Sequence, residues 1–242
     1  MIELNKKDLY WILRRLPQPI LNLMKNHHSV FLAGGYIRAC VANEPVADID
    51  LFAPDEERAS LYAHVLAGDE KISKSKNAFT FRIKGFDTPI QVIHRWTFAK
   101  PEEVIESFDF TVAKAMVWCY SGSVDHTRKW ESLIHDDFYS DLAAKRLVYT
   151  SPIRNEDAGG SVLRLLKFYS KGYRTPLDSL AAVIARLVVQ GVIEDGLAAL
   201  GPTREEAMAV ALTGLLHEVD PLLDPEHIYH LPSTITDAAP TE

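Results

Sequence analysis

Two carboxylates stand two residues apart in Asp48-Ile49-Asp50-Leu51-Phe52, shortly after a glycine pair, Gly34-Gly35, and an arginine, Arg38. In a strand, successive side chains leave opposite faces, so Asp48 and Asp50 share one face while Ile49 and Leu51 turn into a core. The glycines follow a short apolar run, Val30 to Ala33, and open a helix-like segment that carries Arg38. Paired carboxylates suit a hard divalent cation such as Mg²⁺, which takes oxygen ligands and is often held by one or two carboxylates plus substrate phosphates. Backbone N–H groups at a helix start favour anions, and the absence of a Cβ lets phosphate approach the chain closely. The combination points to chemistry at the phosphates of a nucleotide.

The elements that must position these groups can be read in order. Residues 5–26 read as two short helices separated by Pro17 and Pro19, 29–33 as a first strand, 35–42 as a helix and 47–53 as the strand bearing the acids. Asp55 is placed to cap a helix over 55–67, with Leu61, Val65 and Leu66 as its buried stripe. Residues 78–84 and 89–95 read as a hairpin joined by Gly85-Phe86-Asp87-Thr88, and Pro101-Glu102-Glu103 opens another helix. Residues 110–118 are apolar and fit a helix or a strand; 146–150 read as a strand. Past Asp157-Ala158-Gly159-Gly160 the spacing predicts helices over about 161–173, 177–191 and 203–218. The expected architecture is α+β: a catalytic domain over 1–157 with a mixed β-sheet flanked by helices, a small α-helical domain over 158–231, and a disordered tail over 232–242.

Composition narrows the class. The 242 residues are 47% hydrophobic and 24% charged, ordinary values for a globular protein. The longest apolar stretch, 180–193, is interrupted by Arg186 and Gln190, so no membrane partner is expected, and the N-terminus reads as an amphipathic helix rather than a leader. With only Cys40 and Cys119, a disulfide framework is not expected, and a cytoplasmic location is. The histidines form no zinc pattern with these cysteines, and neither a P-loop nor a Gly-x-Ser-x-Gly elbow occurs. Charge is unevenly spread. Residues 1–150 hold 19 basic and 20 acidic groups, 151–174 hold 5 and 2, and 175–242 hold 2 and 11. RNA is held largely by phosphate neutralisation, so the acidic C-terminal part is a poor RNA surface.

Gly34, Gly35, Ile37, Arg38, Asp48 and Asp50 resemble the signature of the DNA polymerase β-like nucleotidyltransferases, and within that superfamily the head domain of bacterial poly(A) polymerases and CCA-adding tRNA nucleotidyltransferases. Asp109-Phe110-Thr111-Val112 is similar to a further family block. Asp141-Leu142 and Arg164, within SVLRLLKFYSKGYR, match more loosely the family's Asp-Leu turn and base-reading helix. The resemblance runs in order from about residue 28 to 174. Phage-encoded proteins with a similar Ile-Gln-Val-Ile and Phe-Asp-Phe-Thr pattern look like a nearer group. The chain departs from the family at Ala39, where an acid is usual, at Ala113, where an Asn is usual, at Gln91, where a third carboxylate is supplied, and at Gly160 and Ser161, where a base-selecting Glu-Asp pair stands.

The resemblance implies transfer of NMP from an NTP to an acceptor hydroxyl with release of pyrophosphate. Asp48 and Asp50 would hold Mg²⁺ or Mn²⁺, with Asp109 as a further catalytic acid and Gly34, Gly35, Arg38, Arg164 and Lys167 as nucleotide-binding residues. The implied acceptor is an RNA 3′ end such as tRNA; a protein, a small molecule, or nucleotide binding without catalysis are the alternatives. Each residue also has a plainer reading. Asp48 and Asp50 could be a solvated strand end, Asp109 a structural cap, and Arg164, Lys167, Lys171 and Arg174, spaced 3, 4 and 3, a solvated helix face. Neither the preferred NTP nor an oligomeric state is written in the sequence.

Overall fold

Alternation along short, strongly apolar strands divides one sheet into two unlike faces. The computed structural model describes residues 1–96, 98, 100–121, 128–152 and 158–195. Its strands are β1 (Phe31–Ala33), β2 (Ile49–Phe52), β3 (Ser73–Lys74), β4 (Ala78–Ile83), β5 (Phe86–Ile93), β6 (Ala115–Ser121) and β7 (Arg128–Ile134), in the order β3-β4-β5-β2-β1-β6-β7. Only β2 and β5 pair in parallel, so the sheet is mixed and the fold is α+β, as expected. Helices α1 (Lys6–Arg15), α2 (Gln18–Asn26), α3 (Gly35–Ala42), α4 (Glu56–Ala67), α5 (Pro101–Glu106), α6 (Phe138–Ala143), α7 (Ala158–Ser170) and α8 (Leu177–Asp195) complete it. No helix among the described residues is long and apolar enough to cross a membrane.

On one face, Val117, Leu32, Leu51, Val92 and Phe79 form an in-register row across five strands, all buried. Truncating such a residue to Ala costs about 2–5 kcal/mol. The opposite face has two parts. Phe31, Ala33, Phe52, Ala78, Ile93 and Met116 are sealed by Val104 and Ile105 of α5 and by Phe108 and Trp118. Two residues back along β2 from Phe52, the same face turns polar: Asp50 lies in register with Gln91, Gln91 with Thr80, and Thr80 with Ser73. Asp50, Gln91 and Thr80 are half-buried and Ser73 is exposed, so this part of the sheet stays open.

Several expectations need correction. β5 begins at Phe86, so the hairpin turns at Lys84-Gly85, with Gly85 at φ +78°. The buried stripe of α4 is Ala59, Tyr62, Ala63, Leu66 and Ala67; Leu61 and Val65 lie off that stripe and are 56% and 64% exposed. Residues 111–113 make a 3₁₀ turn before β6, and 146–150 contribute isolated bridges, Arg146 to Arg174 and Phe110 to Tyr149, rather than a strand. Pro19 sits in the first turn of α2 instead of ahead of it. β7 and α6 carry no signal strong enough to have been anticipated. α7 stops at Ser170, not 173, because Gly172 adopts φ +85° and Tyr173 N–H folds back onto Phe168 O at 3.1 Å.

Contacts divide the chain into one unit of Met1–Arg154 with Leu165–Ala182, and another of Asn155–Arg164 with Val183–Glu242. The segments of the two units thus alternate along the chain. The second unit has a small core of Ala158, Val162 and Leu187, and Arg186 donates to Ser161 Oγ at 3.2 Å. The helix expected over 203–218 and the tail over 232–242 lie outside the described residues.

Candidate active site

The glycine pair does two different jobs. Gly34 caps α3 at φ +79° and ψ −130°, backbone space that residues with a Cβ rarely enter. A methyl group there would lie 3.0 Å from Phe108 Cε1. Gly35 is the first helical residue, and a methyl group on it would lie 3.9 Å from Asp48 Oδ1. The missing side chain thus leaves a gap between the N-terminus of α3 and the Asp48 carboxylate. Asp48 immediately precedes β2, and Asp50 follows on the open part of the sheet; both are half-buried. The Asp48 carboxylate therefore faces the glycine bend, where the positive end of the helix favours negative charge.

Arg38 follows one turn into α3. Its side chain is 9% exposed, its guanidinium sits 4.8 Å from the centre of the Phe168 ring, and its Nε lies 3.7 Å from Glu44 Oε2. Glu44 reaches that place because Asn43 ends α3 in the left-handed region at φ +53°, which lets Glu44 N–H bond Ala39 O at 2.9 Å. Tyr173 Oη donates to Glu44 Oε1 at 3.4 Å, and Lys145 Nζ lies 3.8 Å from the same oxygen. Burial, reinforced by the Glu44 charge, pushes the Tyr173 hydroxyl up to about 12. Arg38 Nε and Glu44 Oε2 are nonetheless buried without a hydrogen-bond partner.

A second cation completes the cluster. Lys171, half-buried in the turn after α7, is held below the usual lysine range first by burial and then by the charges of Arg38 and Lys167, with Glu44 and Asp48 pulling the other way. Arg38, Lys167 and Lys171 therefore share a field with Asp48. A buried cation next to other cations is costly unless an anion arrives.

The remaining candidates are placed elsewhere. Arg164 falls in the other unit and is described only within it. Because α7 ends at Ser170, the four basic residues do not form one helix face; Arg174 stacks over Tyr169 at 5.9 Å and donates to Tyr173 O at 2.9 Å. Asp109 is 1% exposed, and its backbone O accepts from Thr150 N–H at 2.8 Å. Together with Glu106 it opposes the burial that lowers the pKa of Lys114. No group of three or more His, Cys, Asp or Glu side chains able to hold a metal occurs among the described residues. The place beside Asp50 on the neighbouring strand is filled by Gln91, an amide with a dipole but no charge. Asp141 is locked by Thr111 Oγ1 at 2.6 Å and by Arg146 Nε and Nη2 at 2.7 and 2.6 Å.

Glu44, Lys171 and Tyr173 are the residues that sequence reasoning undervalued. One signal existed for Glu44: it is an acid standing just after an asparagine able to turn the chain back.

The fold has known counterparts. The Thermotoga maritima CCA-adding enzyme complexed with tRNA superposes with a TM-score of 0.51 and 18% identity over 92% of this chain and 52% of that one. A CCA-adding enzyme in complex with ATP gives 0.54 and 19%, again over 92% and 52%. This chain thus has a nucleotidyltransferase-like fold and spans about half the length of those enzymes. No curated protein matches it in sequence. Residues 3–145, more than half of the chain, match the family described as Gabija anti-defense 2 family protein, and the chain belongs to that family.

Proposed function

We propose that this member of a Gabija anti-defense family is a metal-dependent nucleotidyltransferase, moving NMP from an NTP to an acceptor hydroxyl with release of pyrophosphate. The observation that carries the reading is the Asp48 carboxylate facing the gap at Gly35, with Arg38 and Lys171 close enough to act electrostatically on one another. The donors fit a hard cation carrying phosphate oxygens. Asp48 and Asp50 offer oxygen ligands, the absent Cβ leaves room, and an unsatisfied guanidinium nitrogen and a destabilised ammonium lie in the same cluster. Mg²⁺ or Mn²⁺ on Asp48 and Asp50 would neutralise the attacking and leaving oxygens.

The chain's own groups do the rest. The N–H groups at the start of α3 and the cations Arg38, Lys167 and Lys171 bind the triphosphate and orient the α-phosphate, so catalysis is mostly positioning and charge neutralisation. Asp109, which is buried, is proposed as the further acid that supports this pair. The acceptor best in keeping with the fold is an RNA 3′ end such as tRNA.

Incubation with α-labelled NTPs, Mg²⁺ and total RNA or lysate tests this. Label should enter RNA, and Asp48→Asn or Asp50→Asn should cut the rate about 10²–10³-fold while folding is retained. Label unchanged in both variants overturns the reading. A second reading, nucleotide binding without transfer, draws on Gln91 standing where a third acid would serve. It predicts tight NTP binding with no labelled product from any acceptor, protein included.

A further inference from the structure

The solvent side of α1 is both basic and aromatic. Lys6, Lys7, Tyr10, Trp11, Arg14 and Arg15 recur at i, i+4 and i+8 in two adjacent rows and are all exposed, the rings by 61% and 48%. This places four cations and two aromatic rings on one face with no acid among them. The helix's one carboxylate, Asp8, is turned aside to accept from Asn5 and Tyr139 Oη at 2.7 and 2.8 Å. The Arg14 and Arg15 guanidinium carbons each lie 5.5 Å from the Tyr10 and Trp11 ring centres, so cation and ring are already paired. Leaving two large rings in water is unfavourable for the free protein, and it occurs here in a chain whose net charge is −7.

We infer that this face of α1 is a contact surface for single-stranded RNA, its cations neutralising phosphates and its rings stacking bases. The pairing of basic and aromatic groups on one surface is what an unpaired strand requires, because bases offer π-faces and phosphates offer charge at the same time. A membrane surface is disfavoured by the arrangement. An interfacial helix puts cations and apolar groups on opposite faces, and the apolar face of α1 is already spent: Ile12 is fully buried, and Tyr36 Oη of α3 donates to Ile12 O at 3.3 Å. That packing also sets the buried side of α1 against α3, the helix that begins at the glycine bend, and leaves the basic and aromatic side to solvent. The choice of RNA over DNA rests on the RNA acceptor proposed above; the presence of a strand-binding face does not.

The test is fluorescence anisotropy of the full chain with a short labelled single-stranded RNA, without NTP, over a range of salt. Replacing Tyr10 and Trp11 by Ala should weaken binding about tenfold or more per ring. R14Q with R15Q should lower the salt slope by about 1.4, near 0.7 for each phosphate no longer neutralised. Trp11→Phe should keep the affinity read from the labelled RNA while losing most of the change in intrinsic tryptophan emission that unlabelled RNA causes in wild type. Because all six side chains are exposed, circular dichroism melts of these variants should match wild type. Asp48→Asn should bind RNA normally while losing transfer; RNA binding through α1 by a wild-type protein that transfers no label sinks the enzyme reading alone. Equal RNA binding by wild type and the α1 variants overturns the inference. So does equal or tighter binding of DNA of the same sequence, or a preference for polyglutamate or anionic vesicles over RNA.

Discussion

Two arginine–carboxylate pairs in the same unit are built to opposite standards. At Asp141 the carboxylate is fully buried yet closed on every side, with bonds of 2.6–2.7 Å from Thr111 and Arg146. At Arg38 and Glu44 the pair is 3.7 Å apart, and one polar atom on each partner is buried with nothing to bond. Both sit in segments that resemble family motifs, so the sequence alone does not separate them. The difference is one of valence. A pair that only holds the fold together satisfies its donors and acceptors, whereas a pair that also receives a ligand keeps some of them open.

Breaking the closed pair should have the largest effect. Arg146→Met strands a buried carboxylate, for which a loss of about 3 kcal/mol is expected, read as a lower urea midpoint at unchanged slope. The folded fraction should still bind Mg-ATP with normal affinity. Arg38→Met should show the reverse. Its stability cost is expected to be about 1 kcal/mol, chiefly the attraction between the guanidinium and the Phe168 ring. The stabilisation by Mg-ATP, about 2.7 kcal/mol at a hundredfold excess over Kd, should disappear. If Arg38→Met melts like Arg146→Met and still responds to nucleotide, the distinction between open and closed pairs is wrong.

Lys171 sharpens the contrast with a smaller effect. Its ammonium is disfavoured by burial and by neighbouring cations, so its pKa in the folded state lies below the unfolded value of 10.5. The unfolded chain then binds the proton more readily, and the penalty on folding is present in full below the folded pKa and fades as pH rises towards 10.5. Lys171→Met should therefore be slightly more stable than wild type at neutral pH, with the advantage vanishing in alkali, while nucleotide affinity falls. Stability that drops together with affinity would show that Lys171 is an ordinary structural lysine.

What could be read from the sequence follows from the range of the forces involved. The glycine bend, α3 and Asp55 as a cap are local: each depends on a few adjacent residues, and each stands where the pattern put it. The strand expected over 47–53, by contrast, is only Ile49–Phe52 and leaves Asp48 just ahead of it. The misplaced features depend on distant partners. Residues 146–150 alternate like a strand, but only bridges form, because Arg146 pairs with Arg174 and Tyr149 with Phe110 from separate parts of the chain. Leu61 and Val65 look like core residues by hydrophobicity, yet the small Ala59, Ala63 and Ala67 define the packed side of α4. Glu44 and Lys171 were obscured for the same reason. Their meaning comes from meeting Arg38 across 6 and 133 residues, and no window along the chain contains all three.

The mildest test compares two tyrosines. Tyr173 donates to Glu44 of the open pair, and Tyr139 donates to Asp8 of α1; burial is the main cause that pushes both hydroxyls up to about 12. A folded pKa above the ordinary 10.0 means that the stability each group contributes is intact below pH 10 and is lost as pH climbs through about 12. Tyr173→Phe and Tyr139→Phe should therefore each flatten the alkaline fall in melting temperature by a similar, small amount. Nucleotide should separate them. A triphosphate bound at Arg38 and Lys171 adds negative charge near Tyr173 and raises its pKa further, steepening the alkaline limb in wild type and in Tyr139→Phe but less in Tyr173→Phe. Identical limbs for all three proteins with Mg-ATP bound would place the phosphates away from the open pair, and Arg38 would then have to be explained as a second structural arginine.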